Sequence, residues 1–482
     1  MRLQSDLRDK APLLDAYLSY FESARTPFTI PGHKQRAAAL DPALGAIVDS
    51  DTPLYGGLDE IKLTRQVLKK SEALAAKFWG ADYARFSTGG STHANQAIIF
   101  ALGQPGDKVA VSRTAHRSVL SALVLAGLEP VWMTPDIDST TGVPIGISPE
   151  TLRVALQENP IAILLTEPGY LGTISDISQL IAMAHEKKIP VIVDAAWGGH
   201  FGFHPELPAH VMQLGADALI TSVHKALPGY SASALLLART QYLSSERLEQ
   251  SFETTHTTSP AGAPLASIDG VRALLETRGT ELLGALISNV HACKERIQSE
   301  FNLPIFLNPS DFAPGRFDPV KMVLRVQQLG ASGVEIERDL LDANIRVEMA
   351  DRDTIVFLAT IADRAENFET LSRVLIPILK KHQQAPRQSA TSLSWSIVPQ
   401  RGISMREAYF AKTEMVSAVD AVGRISADLI APYPPGVAVV APGEILTQEI
   451  VEGLATTKAA GVRIAYATDS TLATYRVVRA TL

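Results

Sequence analysis

The chain has 482 residues, 46% hydrophobic and 20% charged, which is the composition of a globular protein too long for a single hydrophobic core. A net charge of −7 argues against a nucleic-acid surface and mildly favours cationic small molecules. The lone Cys293 excludes an intramolecular disulfide; with no signal-peptide pattern at the N-terminus and no apolar run near the ~20 residues of a bilayer span, a cytoplasmic location is expected.

Residues 9–24 suit a short amphipathic helix, with Leu13, Leu14, Tyr17 and Leu18 near helical spacing. Pro31-Gly32-His33-Lys34 and Tyr55-Gly56-Gly57-Leu58 read as loops, and 63–79 as a long helix stopped by Gly80. From Phe86 to about Arg239 strand-like and helical runs alternate. Strands are expected at 108–112, 130–134, 161–166, 191–194, 218–222 and 234–238, and helices at 93–102, 118–126, 149–157 and 177–187, with Ser148-Pro149 as N-cap and first helical residue. Such alternation predicts a mostly parallel sheet covered on both faces. Residues 265–300 read as one connector helix, followed to about 380 by an α/β lobe with strands at 320–326, 345–348 and 354–359. The polar stretch 380–389 reads as a linker. Ser404-Met405-Arg406-Glu407 is a capping box, whose helix is expected to run through Met415 and Val419 to about Leu429.

Three stretches carry chemistry. The apolar run ending in Asp194 delivers a carboxylate at the C-terminal end of a strand, where open α/β sheets bind ligands. Ser222-Val223-His224-Lys225 follows another buried strand and precedes a Pro-Gly break. Upstream, Gly89-Gly90-Ser91-Thr92-His93 opens a helix with glycines and hydroxyls, as a phosphate cradle does, and matches neither the dinucleotide nor the Walker A pattern. A lysine for amine chemistry, a carboxylate to keep a pyridine nitrogen protonated and a phosphate cradle together point to pyridoxal phosphate, with Lys225 as its covalent attachment and Asp194 as the ring-nitrogen partner. Taken singly, a solvated lysine and a helix-capping aspartate are the plain alternatives. Trp197 flanks the ring or the substrate, or is a core tryptophan. His185, His200 and His204 lack the acidic and cysteine company of a metal site, so no metal is expected.

Taken in order, Pro31-Gly32-His33-Lys34, Gly57-Leu58-Asp59, Gly90-Ser91-Thr92-His93-Ala94-Asn95, Arg113-Thr114-Ala115-His116-Arg117-Ser118, Asp194-Ala195-Ala196-Trp197, Ser222-Val223-His224-Lys225, Pro432-Tyr433-Pro434-Pro435-Gly436-Val437 and Ala441-Pro442-Gly443-Glu444 resemble the bacterial ornithine/lysine/arginine decarboxylases, in their short form. The resemblance implies a pyridoxal-phosphate transferase of fold type I, aspartate-aminotransferase-like, with a mostly parallel seven-stranded sheet in a large lobe and smaller C-terminal α/β lobes. It divides the chain into an arm (1–56), a cofactor-binding major domain (57–285), a small domain (286–385) and a C-terminal domain (390–482). It implies that His116 stacks on the cofactor ring, that Ser91, Thr92, His93, Ser222 and Trp197 help hold the cofactor, and that Thr258 and Ser259 reach a neighbour's phosphate in a homodimer. His33 and Lys34 would line the substrate entrance, and Glu444 would take the distal cation of the substrate.

The implied reaction is α-decarboxylation of a basic amino acid, arginine before lysine or ornithine, to a polyamine-pathway amine, with Lys225 or His224 returning a proton to Cα. An aminotransferase or a lyase acting at Cβ or Cγ would share Asp194 and Lys225, and a catalytically dead regulatory homologue is the remaining alternative. His93, Ala94, Arg117 and the Gly198-Gly199 pair depart from the family pattern.

Overall fold

The computed structural model describes residues 6–23, 26–54, 58–59, 66–387, 399–433, 437–459 and 461–480. The turn expected at Tyr55-Gly56-Gly57, the end of the polar linker at Gln388-Ser389 and Pro434-Pro435-Gly436 of the closing motif lie outside the described residues. Seven strands, β1 (Tyr83–Ser87), β2 (Lys108–Ser112), β3 (Glu129–Met133), β4 (Ile163–Thr166), β5 (Val191–Asp194), β6 (Ala218–Ser222) and β7 (Ala234–Ala238), give the fold its α/β character. The helices that matter below are α1 (Gln66–Trp79), α2 (Gly90–Leu102), α3 (Arg117–Ala126), α4 (Ser245–Thr255), α5 (Gly262–Gln298) and α6 (Met405–Phe410).

The chain forms two compact units. One comprises Met1–Ala101, Ile192–His204 and Ala209–Leu283. Its strands run in the order β1-β7-β6-β5; β5 and β6 are parallel, and β7 is antiparallel to both of its neighbours. Every residue of β5, β6 and β7 is buried, as an apolar strand covered on both faces requires. Strand β1 escapes sequence patterning because Arg85 stands in its middle. The guanidinium is buried between Glu72, Glu249 and Glu253, at 3.2, 2.6 and 2.6 Å, and lies over the Phe252 ring, so the charge is compensated inside the fold. The helix expected over 9–24 is broken in two, Asp6–Lys10 and Pro12–Glu22, because Pro12 starts a new helix.

The other unit comprises Leu102–Val191, Pro205–Pro208 and Gly284–Leu482. It contains the parallel strands β4-β2-β3 and a three-stranded antiparallel sheet of Met322–Arg325, Thr354–Phe357 and Met349–Ala350. The strand expected at 345–348 lies at Met349–Ala350 instead.

The capping box at Ser404 forms, with the Ser404 hydroxyl accepting from the Glu407 N–H and the Glu407 carboxylate accepting from the Ser404 N–H. Its helix does not reach Leu429. Helix α6 ends at Phe410, and Thr413–Ser417 is a strand paired antiparallel with Thr474–Val478. Alternating exposed and half-buried residues from Thr413 to Ser417 follow the two-residue period of a strand, and that period overrides the helical spacing read through Met415 and Val419. Among the described residues no helix is long and apolar enough to cross a membrane.

Candidate active site

Strands β5 and β6 run parallel with Asp194 opposite Ile220, so the loops leaving their carboxyl ends start side by side. Asp194 is 2% exposed. Its Oδ2 accepts from Asn95 Nδ2 at 2.8 Å and its Oδ1 from the Ala196 N–H at 3.1 Å, which fixes the carboxylate plane. Sequence reading missed Asn95 as a site residue. Its signal is the four-residue spacing from Ser91, which sets both on one face of α2.

The loop after β6 is closed by two hydrogen bonds, Val223 N–H to Ser233 O at 3.0 Å and Gly229 N–H to Val223 O at 2.7 Å. A Cβ at Gly229 would sit 2.6 Å from that carbonyl oxygen, so the closure requires glycine. Within this loop Lys225 Nζ stands 4.4 Å from the centroid of the Trp197 ring, a cation–π contact. Nδ1 of His224 donates to Ser233 O at 3.0 Å, which fixes the orientation of the ring. Ser222 and Ser91 share a hydrogen bond at 2.8 Å, joining the end of β6 to the first turn of α2. That turn, entered through Gly90 at φ +67°, carries the exposed Thr92 beside Ser91.

The ring of His93 is buried in the α4 contact, with Nδ1 2.8 Å from Ser87 Oγ and Nε2 3.0 Å from Thr255 Oγ1, so both nitrogens have partners within the protein. Burial pushes this imidazole down to about 4. In the unfolded chain it titrates at its ordinary 6.5, so the unfolded state binds more protons between pH 6.5 and 4. The contribution to stability is therefore complete above pH 6.5 and lost as pH falls through 4, on the order of 3 kcal/mol. Burial lifts Glu167 to about 7, which acts in the opposite sense; the difference between wild type and a variant isolates the histidine. In urea unfolding, the stability lead of wild type over His93→Gln is expected to shrink by about 3 kcal/mol between pH 6.5 and 4. A pH-independent lead would show that His93 is not held neutral.

His33 and Lys34 are half-buried and satisfied within their own arm, His33 Nδ1 by the Gln35 N–H at 3.0 Å and Lys34 Nζ by Thr29 O. Thr258 and Ser259 lie exposed beyond α4. In the second unit, His116 caps α3, its Nδ1 accepting from the Ser118 N–H at 3.2 Å. The Arg117 guanidinium lies 4.4 Å from the centroid of the Tyr466 ring.

Glu444 is 2% exposed and bidentate to Arg113, Nη1 to Oε1 at 2.6 Å and Nη2 to Oε2 at 2.9 Å, and it also accepts from the Ala441 N–H at 2.7 Å.

The family model for the Orn/Lys/Arg decarboxylase major domain matches residues 11–312, and the model for the Orn/Lys/Arg decarboxylase C-terminal domain matches 390–462. The chain belongs to the Orn/Lys/Arg decarboxylase family. It is 31% identical to the arginine decarboxylases of Halalkalibacterium halodurans and Bacillus subtilis, in each case across 98% of both chains. Among solved structures it resembles the lysine decarboxylase of Francisella novicida, with a TM-score of 0.83 at 20% identity, covering 97% of this chain and 81% of that one. The fold is thus that of the type I pyridoxal-phosphate enzymes, and as a member of this family the protein is a pyridoxal-phosphate-dependent decarboxylase of basic amino acids.

The residues present fit the cofactor. A buried carboxylate oriented by Asn95, a lysine on the loop after the adjacent strand and a hydroxyl-bearing helix opening supply the three chemical partners that the ring nitrogen, aldehyde and phosphate need.

Proposed function

We propose that the preferred substrate is arginine, ahead of lysine and ornithine, and that loss of CO2 gives the amine that enters polyamine formation. The observation that carries the site assignment is the parallel register of β5 and β6, which sends Asp194 and the Lys225 loop off the same carboxyl edge. The preference for arginine is supported by the end-to-end match to relatives named arginine decarboxylase.

In this reading Lys225 binds the cofactor covalently, Asp194 keeps its ring nitrogen protonated, and Ser91, Thr92 and Ser222 receive its phosphate. Bound pyridoxal phosphate supplies a sink for the electron pair left when CO2 departs. Trp197 holds the lysine ammonium when it is free, through the 4.4 Å cation–π contact. His224 Nε2 or Lys225 Nζ carries the proton returned to Cα. His116 serves the cofactor ring by family resemblance, His33 and Lys34 line the substrate entrance, and Thr258 and Ser259 reach the phosphate of a second subunit in a cytoplasmic homodimer.

The test is amine and CO2 release from arginine, lysine and ornithine, with cofactor present and no keto-acid acceptor. Arginine is expected to give a kcat/KM at least about tenfold above the others, the discrimination that one well-placed polar contact provides. A higher value for lysine or ornithine overturns the choice of substrate.

A further inference from the structure

We propose that Glu444 is a positioning residue for His116, acting through Arg113 and not through contact with substrate. The side chains of Arg113 and Glu444 are 1% and 3% exposed, and the guanidinium makes four contacts: both Glu444 oxygens, Val439 O at 2.8 Å and the Trp132 ring, whose centroid is 4.6 Å away. Arg113 directly follows β2 and opens the turn that ends at His116.

That turn is short and internally tied. The Arg113 N–H donates to Met133 O at 2.7 Å, the Ala115 N–H to Ser112 O at 3.0 Å, and the Ser112 and Thr114 hydroxyls are 2.7 Å apart. At its far end His116 is fixed as the cap of α3. A displacement of the buried Arg113 therefore passes along three residues to the histidine ring. Removing the Glu444 charge leaves a buried guanidinium with neutral acceptors and no counter-ion, and the turn has to move to relieve it.

The inference rests on the reading that His116 serves the cofactor, so the experiment needs one measurement without turnover. Wild type, Glu444→Gln and Glu444→Asp are compared in kcat and KM for arginine as holoenzymes, and in the rate of His116 carbethoxylation by diethyl pyrocarbonate, followed by peptide mass spectrometry. Glu444→Gln is expected to lower kcat about 10- to 100-fold, to leave KM within about twofold, and to raise His116 labelling severalfold; Glu444→Asp, which restores a carboxylate, recovers part of each. A KM rise of about tenfold with unchanged kcat would reassign Glu444 to substrate binding. Wild-type kinetics and wild-type labelling in Glu444→Gln would reduce the pair to a tie for the closing segment. If wild type decarboxylates no basic amino acid, the functional reading fails, and the labelling rate still decides whether Glu444 controls His116. Should Glu444→Gln not fold, the double variant Arg113→Gln/Glu444→Gln, which buries no lone charge, is judged by the same labelling criterion.

Discussion

Lys225→Ala is expected to lower decarboxylation of the preferred basic amino acid by roughly 10⁴-fold or more while the protein stays folded, because what is lost is the covalent role proposed for this lysine and not a packing one. Lys225 is half-buried, and its side chain meets the Trp197 ring at 4.4 Å, so truncation costs about 1 kcal/mol of cation–π attraction and leaves the neighbouring core intact. Lys225→Arg sharpens the experiment. It keeps a cation able to lie over Trp197, yet a guanidinium remains protonated at any accessible pH and is no nucleophile. The arginine variant should therefore match wild type in thermal stability and the alanine variant in activity. Borohydride reduction of the cofactor-loaded protein, followed by peptide mass spectrometry, should place the cofactor mass on the Lys225 peptide of wild type and on no peptide of either variant. Turnover in Lys225→Ala near the wild-type rate, or an adduct on another lysine, sinks the assignment.

How much of this was legible in the chain depends on whether the signal was local. Strands β2, β5, β6 and β7 follow from continuous apolar runs, and because strand ends are where this fold binds ligands, Asp194 and Lys225 could be singled out before the parallel register of β5 and β6 was known. Strand β1 was illegible because its charge is neutralised by three glutamates, on α1 and α4, that no window around Arg85 contains. The helix read past Ser404 failed differently. A capping box specifies where a helix begins and says nothing about where it stops, and the pairing of Thr413–Ser417 with Thr474–Val478 is set some 60 residues downstream. The Arg113–Glu444 pair was illegible for the same reason: its partners are 331 residues apart, and from sequence a buried ion pair and an open substrate ligand look alike. For His93 the place in a helix-opening motif was legible while the burial of its ring against α4 was not.

Asp194 should show the second largest effect, and it can be separated from Lys225 by what is lost. Asp194→Asn preserves size at a site that is 2% exposed, yet it removes the negative charge proposed to keep a pyridine nitrogen protonated, and it sets an amide NH2 against one of the two donors, Asn95 Nδ2 or the Ala196 N–H, that the carboxylate now accepts. The expected cost is about 10²- to 10³-fold in kcat, the range for removing one preorganised electrostatic partner, together with about 1–3 kcal/mol of stability for the mispaired buried group. Covalent attachment at Lys225 should persist, so the reduced protein still carries the cofactor mass while turnover fails. Asn95→Ala tests the orientation of the carboxylate alone. It leaves the charge and removes the 2.8 Å hydrogen bond, for an expected loss of about tenfold in kcat. Because Asn95 acts through Asp194, Asn95→Ala/Asp194→Ala should be no slower than Asp194→Ala; fully additive losses would mean that Asn95 has a second role, and wild-type kcat in Asp194→Ala would remove the carboxylate from the chemistry altogether.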